Sequence, residues 1–432
     1  MSASHPSPVA PGLAEATRLQ RDLYLYWSGV ARAGGVGLTG RGYVARPALR
    51  RLRDDLATGA PTSPAGAPAD GDAAEAEQPR LFFIRRALER LGLLRISGGA
   101  GEPQRLEAAD ARAMGRYLAR SLAERSQALL RLWVGAGWWP DRLDPRAEAP
   151  GLLAPAPPRV AVARRRLLED IAALDQGAII PAPGAARPIR ALASHGRAAR
   201  RRTPTHPPAR SLTSLALVGD EAAASALAGP LTWLGVVVWD DVAGEWRAGL
   251  PGAALHGDER GEGHGDERDS AALVETHGRV VAQSDLSIIA YAPFSAPELL
   301  TLDLCASREA LSQTARYRVT RAAFSGARDF GWDAAEVARR LERLIGAPPP
   351  RALRVKLSDW ERLASRLRLE DGVTLLETPT PETLDALLAD RASAGWGIRR
   401  VTPTAAAIAP EAAPRARAWL LRHGCLPALR EE

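Results

Sequence analysis

The stretch RLFFIRRALERLGLLRISGGAGEPQRLE, residues 80–107, changes its hydrophobic rhythm midway. Phe82, Phe83, Ala87, Leu88 and Leu91 recur at helical spacing, and Gly92 ends the helix. Leu93-Leu94-Arg95-Ile96 then reads as a short apolar strand. Ser97 to Pro103 is a glycine-rich turn, and Gln104 to Glu107 is the returning strand. The local order is therefore helix, strand, turn, strand.

Upstream, Leu23, Tyr26, Trp27 and Val30 fall at i, i+3, i+4 and i+7, one face of another helix. A turn at Ala33-Gly34-Gly35, an extended piece and a helix from Pro47 to Leu56 follow, with Pro47 suited to a first helical turn. Residues 108–134 read as a long helical stretch. This is the element order of a winged-helix domain, expected over residues 12–139 with a disordered, Ala- and Pro-rich insert at 59–79. The order recurs with a helix at 160–174, a helix at 220–228 stopping at Gly229-Pro230, and strands at 234–239 and 245–248. A second winged-helix-like unit is expected over 158–250, interrupted at 181–210. Residues 251–276, with the near-repeat HGDERGEG and HGDERDSA, read as a low-complexity linker.

From residue 277 the pattern changes. Arg279–Gln283 and Leu286–Tyr291 are β-rich, and a helix follows Pro297. Ala315–Val319 alternates as a strand, and Thr320 looks like the cap of a helix reaching Phe330. Asp333 and Glu336 form a capping pair for a helix ending at Gly346. A helix holds Leu357, Trp360 and Leu363, and residues 367–377 carry a hairpin signal around Asp371-Gly372. A helix at 381–390, strands near 398–408 and a helix at 411–423 close the chain. The expected class is α+β and multi-domain.

The chain has 432 residues, room for about two to four domains. Its 46% hydrophobic and 25% charged residues fit a folded protein and argue against general disorder. No run approaches the ~18 apolar residues of a membrane span, and Met1–Pro11 does not resemble a signal peptide. A cytoplasmic or nucleoid-associated protein without membrane contact is expected. Cys305 and Cys425 are too few for a disulfide framework or a cysteine zinc site. The net charge of +7 is concentrated: residues 181–210 hold seven Arg and no acid, and the remainder sums to zero. Whole-protein charge is thus a weak argument for nucleic acid.

The usual catalytic signatures are missing from this sequence. It contains no G-x-x-x-x-G-K-[ST], H-E-x-x-H, C-x-x-C or G-x-S-x-G, and its one lysine, Lys356, lies near no glycine-rich loop. A G-x-G-x-x-G occurs at Gly35, Gly37 and Gly40, but a helix precedes it where a dinucleotide site needs a strand, so it reads as a turn. His256 and His264 sit in the low-complexity tract, and His277 and His423 lack an obvious Ser or Cys partner. No enzyme, cofactor or metal is expected.

The arginines carry the remaining signal. Arg41, Tyr43, Arg46, Arg50 and Arg51 surround a turn and the start of a helix, and Arg85, Arg86 and Arg90 lie on the helix before the first wing. Arg316 and Arg318 share one strand face, with Arg321 at the next helix start. Arginine at such places suits phosphate oxygens and guanine edges, so these residues are candidate DNA contacts.

Residues 278–309, 315–363 and 367–388 resemble the N-terminal domain of XPB-type DNA repair helicases and the bacterial helicase-associated proteins that carry it. The resemblance rests on the opening β pair with Gln283 and Asp285, on Tyr317 to Thr320, and on the G-x-D-A-x-x-V of Gly331 to Val337. It also rests on three prolines before a Trp-containing helix and on the terminal hairpin. Segments RDLYLYW (21–27) and LTGRGYVAR (38–46) are similar to the leading region of the same bacterial group. An XPB-N-like α/β domain is accordingly expected over 277–428, with the ATP-driven motor missing. The resemblance implies a non-enzymatic DNA-binding or helicase-accessory role in repair or transcription, with DNA and a helicase or repair/transcription protein as partners. Two alternatives stand: a scaffold that docks a helicase or other protein without touching DNA, and a winged-helix transcriptional regulator.

Overall fold

The structure, a computed structural model, describes residues 11–57, 74–98, 103–139, 146, 148–152, 154–180, 220–250, 275, 278–364, 374–391 and 393–422. The basic 181–210 segment, nearly all of the 251–276 tract, the first arm of the 367–377 hairpin, His277, His423 and Cys425 lie outside them. The chain divides into two units, residues 1–360 and 361–432, so the division falls inside the 277–428 stretch.

The first unit is organised around α1 (Pro11–Arg32). The sequence suggests an amphipathic stripe, yet this helix is buried almost all round. Leu19, Leu23, Tyr24, Leu25, Tyr26, Trp27 and Val30 are joined by buried Gln20, Arg21 and Asp22. Burial on every side marks a helix with neighbours on every side. Those neighbours are α2 (Arg46–Ala57), α3 (Pro79–Arg90), α5 (Leu122–Val134) and elements from further along the chain. Asp22 is balanced by Arg21 at 2.7 Å and Arg80 at 2.8 Å.

After α1, β1 (Val36–Gly37), β2 (Leu94–Ser97) and β3 (Arg105–Ala108) form an antiparallel sheet in the order β1-β3-β2. Residues 74–79, expected inside a disordered insert, are instead ordered. Glu75 is drawn inward by Arg85 and by the Val44 amide, making a 3-10 turn that leads into α3. The helical stretch expected over 108–134 consists of two helices, α4 (Ala111–Leu118) and α5. Ser121 starts the second: its Oγ accepts from the Glu124 amide, and Glu124 accepts from the Ser121 amide at 2.7 Å.

The same plan then repeats. α6 (Pro158–Ala172), β4 (Ile179–Ile180) and α7 (Asp220–Ala226) precede the hairpin β5 (Val237–Asp240) and β6 (Glu245–Ala248), in the order β4-β6-β5. The helix expected to stop at Gly229-Pro230 goes on through a kinked turn, Leu227–Leu231, because Gly229 takes up the distortion that Pro230 imposes.

A four-stranded antiparallel sheet follows: β7 (Val280–Ala282), β8 (Ser287–Tyr291), β9 (Ser307–Leu311) and β10 (Thr314–Arg318), in the order β7-β8-β10-β9. Between β8 and β9 runs α8 (Ala296–Cys305), and after β10 come α9 (Arg321–Asp329), α10 (Ala334–Ile345) and α11 (Arg351–Ala364). Val280, Ile288, Ala290, Ala315 and Tyr317 form the buried face of this sheet. One hydrophobic core runs from Leu19 to Leu357 through all three sheets.

In the second unit β11 (Thr374–Glu377), β12 (Arg399–Arg400) and β13 (Ala405–Ile408) are ordered β11-β13-β12. They are accompanied by α12 (Pro381–Ala389) and α13 (Ala413–Arg422). The partner of Thr374–Glu377 within this sheet is Ala405–Ile408. Trp396, Ile408, Ala412 and Ala416 are its core, with Trp419 edge-on to Trp396 at 5.4 Å. Small antiparallel sheets under helices make the whole an α+β fold. No helix among the described residues is long and apolar enough to cross a membrane.

Candidate nucleic-acid interface

Arg85 and Arg86 are not available to DNA, contrary to the expectation from their place before the hairpin. Residues Leu81 to Glu89 of α3 are all buried. Arg85 donates to Glu75 at 2.6 Å, to Glu89 at 2.8 Å and to the Gly42 carbonyl at 3.2 Å. Arg86 donates to Glu89 and to the Pro150 carbonyl, both at 2.6 Å. Two guanidiniums and two carboxylates close a neutral network, the condition under which buried charge is tolerated. Burial alone would lower the Arg85 pKa, but Glu75 and Glu89 outweigh it and hold the group above its ordinary value. Tyr43 is also buried, its ring 6.0 Å from Phe82. These three residues build the core.

What covers α3 is the repeat. Phe83 lies 5.8 Å from Trp138, 5.6 Å from Trp139 and 5.6 Å from Trp233, which follows the kinked turn after α7. The Arg80 guanidinium sits over Trp233 at 5.8 Å. The helices that precede the two hairpins therefore pack on each other. Arg164 shows the same inward use of arginine, donating to the carbonyls of Trp133, Ala136 and Trp139 at 2.8–3.0 Å.

The other candidates are exposed. Arg41 lies in the turn, Arg46, Arg50 and Arg51 lie on α2, and Arg90 ends α3. Leu49, Leu52 and Leu56 hold α2 to the core. Acids share this neighbourhood: Asp54 pairs with Arg53 at 3.3 Å, and Asp55 with Arg32 at 2.6 Å.

Arg316, Arg318 and Arg321 lie together. On β10, Ala315 and Tyr317 point inward while Arg316 and Arg318 share the open face. Arg321 opens α9, whose Thr320 cap accepts from the Ala323 amide at 3.2 Å. Arg318 donates to Glu309 at 2.6 Å, and this bond raises its pKa. Asp285 is held below the usual carboxylate range by hydrogen bonds from the Ser287 hydroxyl and amide.

Further cations in this region are not singled out by the sequence pattern. Between Arg316 and Lys356 there are ten basic residues and four acids, a net +6 within 41 positions. Arg339, Arg343, Arg351, Arg354 and Lys356 are exposed. On α10, Arg340 lies over the Trp332 ring at 4.1 Å. Its pKa is lowered by burial and then by the charges of Arg343 and Arg339, the mark of a locally positive field. Their signal is helical spacing at 339, 343 and 351–356, but the arginine richness of the whole chain masks it.

Residues 280–402 match the family described as the helicase conserved C-terminal domain. This helicase-type segment is less than a third of the chain and contains β8, β10, α9, α10 and the ten basic residues from Arg316 to Lys356. It supports the helicase association expected for this stretch and points to nucleic acid or helicase-related partners. No curated protein matches the chain.

Gly35 lies in the turn that joins α1 to β1, at φ +95°, where a side chain would be strained, and Gly37 lies in β1 itself. The order there is helix, turn, strand, the reverse of a dinucleotide loop. Among the described residues no group of three His, Cys, Asp or Glu side chains is placed to hold a metal ion.

Proposed function

We propose that this protein is a non-enzymatic accessory of helicase-driven DNA transactions that holds nucleic acid on the basic surface of residues 278–356. Its first half serves as scaffold. In this reading the two repeats are winged-helix-like units. The supporting features are a short strand, helices and a hairpin in each, with the second hairpin strand lying between the short strand and the first hairpin strand. A winged helix that reads DNA must present the helix before its hairpin. Here both such helices are packed on each other through Phe83 and Trp233, which speaks against sequence reading by either unit.

The observation that carries the proposal is the charge of the helicase-type segment: ten basic residues against four acids from Arg316 to Lys356, with Arg316, Arg321, Arg343, Arg351, Arg354 and Lys356 all exposed. Such a surface engages phosphates without reading bases, with affinity that falls steeply with salt. The XPB-N-like character of 277–428 belongs to this proposal, as does action in repair or transcription. No G-x-x-x-x-G-K-[ST] occurs in the sequence, so the energy of strand separation is assigned to a partner.

The test is fluorescence anisotropy of labelled duplex, single-stranded and forked DNA across a salt series, on the full chain and on a variant lacking residues 181–210. Binding that survives the deletion and weakens steeply with salt supports the proposal. Binding abolished by the deletion, or none at low salt, overturns it in favour of a protein-docking scaffold.

A further inference from the structure

The open face of the four-stranded sheet combines an aromatic ring with unpaired cations. Along β8, Ile288 and Ala290 point into the core, so Ser287, Ile289 and Tyr291 share the opposite face. Register places Thr314 against Tyr291, Arg316 against Ile289 and Arg318 against Ser287. On the other side Val281 pairs with Ile289, and the Tyr291 amide bonds to the Arg279 carbonyl at 2.9 Å, extending the pairing to Arg279. Tyr291 is 43% exposed, the largest side chain among the exposed apolar residues. Arg279 is its cross-strand neighbour, and Arg316 its diagonal one at roughly 7–8 Å, within reach of long side chains.

Neither Arg279 nor Arg316 makes an ion pair or side-chain hydrogen bond among the described residues. The acids nearby are already engaged: Glu309 by Arg318 and Asp285 by Ser287. Ile289 and Val281 give the face an apolar floor beside the ring. Backbone phosphates suit the two guanidiniums, and an unstacked base suits the ring. A base inside a duplex cannot reach a ring on a flat sheet, whereas a single strand can splay one out.

We infer that the exposed face of β7, β8 and β10 is a binding site for single-stranded nucleic acid, with one base stacked on Tyr291 and flanking phosphates on Arg279 and Arg316. This rests on the nucleic-acid function proposed above and adds strand preference and a stacking residue to it. A helicase accessory with such a face would hold the displaced strand.

The experiment measures anisotropy of the full chain with labelled oligothymidine and with a blunt duplex of equal length, at low salt and across a salt series. Variants Tyr291→Ala, Tyr291→Phe and Arg279→Ala/Arg316→Ala are compared, with thermal unfolding as the check on folding. The expected result is tighter binding of the single strand, a loss of about tenfold in Y291A, and near wild-type binding in Y291F. The double arginine variant should weaken binding and flatten its salt dependence. If the wild type binds DNA but Y291A binds the single strand as well as wild type does, the sheet-face site is overturned and the basic-surface function stands. If the wild type binds neither probe, both fall.

Discussion

The Tyr24 hydroxyl donates a 2.6 Å hydrogen bond to the Asp303 carboxylate, tying α1 to α8 across 279 residues of sequence. The same carboxylate takes Arg308 Nε at 2.9 Å, and that nitrogen also reaches the Tyr317 hydroxyl at 3.2 Å. The first helix of the chain thus shares a polar cluster with the buried face of the sheet. Tyr24→Phe removes a hydrogen bond to a charged acceptor and should cost about 1.5–3 kcal/mol. Urea denaturation should show a lower midpoint at an unchanged slope; an unchanged midpoint would mean that the bond contributes nothing.

Stability should fall on the alkaline side. Burial, then Asp303, hold Tyr24 well above its ordinary pKa, and burial, then Glu75, do the same for Tyr26. Burial likewise raises Tyr117 and Tyr317, and it pushes the Cys305 thiol up to about 12. In each case the folded protein binds the proton more tightly than the unfolded chain does. The contribution is therefore full below the unfolded values, about 8.5 for Cys and 10 for Tyr, and is lost as pH rises beyond them. Thermal unfolding between about pH 7 and 11 should show a progressive drop in Tm beginning near pH 9. A flat profile would contradict these placements.

Arg85→Ala should unfold the protein readily without altering its affinity for DNA. The substitution strands Glu75 in the core and leaves Glu89 with Arg86 alone, a loss of about 3–5 kcal/mol. Arg85→Met with Glu75→Gln should recover part of it by removing one charge of each sign. Anisotropy at a temperature where the variant is folded should match wild type. A selective loss of DNA binding would restore Arg85 to the interface.

Phe83→Ala probes the packing of one repeat on the other. The ring sits among Trp138, Trp139 and Trp233, and its removal should cost about 3–5 kcal/mol through reduced burial and the cavity left behind. Because the core runs on from Leu19 to Leu357, residues on either side should lose hydrogen-exchange protection together. Loss confined to 220–250 would mean that the second repeat opens by itself.

Most elements of this fold are legible in the sequence because their punctuation is strong. Thr320, Asp333 and Gly346 start or stop helices by named hydrogen bonds or a left-handed backbone, and the two hairpins are bounded by glycine or aspartate turns. What could not be read is where each surface goes. Arg85 and Arg86 look like a solvated face because their counter-ion Glu75 lies across a composition that suggests a loop. Strand β9, Ser-Arg-Glu-Ala-Leu, carries no alternation, since its bulge against Arg316 and Tyr317 breaks the two-residue rhythm. Tyr291 reads as one more strand residue until the register sets it beside Arg279 and Arg316. Periodicity reports that a residue has a face; only pairing and packing decide what that face meets.

Charge reversal separates the two exposed arginine groups. Arg321, Arg343 and Arg354 open α9, close α10 and lie in α11, and in the proposed interface each would meet one phosphate. Replacing all three by Glu should weaken binding by more than about tenfold at low salt and lower the salt slope by about one for each phosphate no longer held. Arg46, Arg50 and Arg51 on α2 sit near Asp54 and Asp55 and belong to the scaffold half, so their reversal should leave the affinity within about twofold. The salt series of the two triple variants, side by side with wild type, reads out which surface holds the phosphates. If the α2 variant loses binding and the other does not, the interface lies on the N-terminal half, and the helicase-type segment is left for a protein partner.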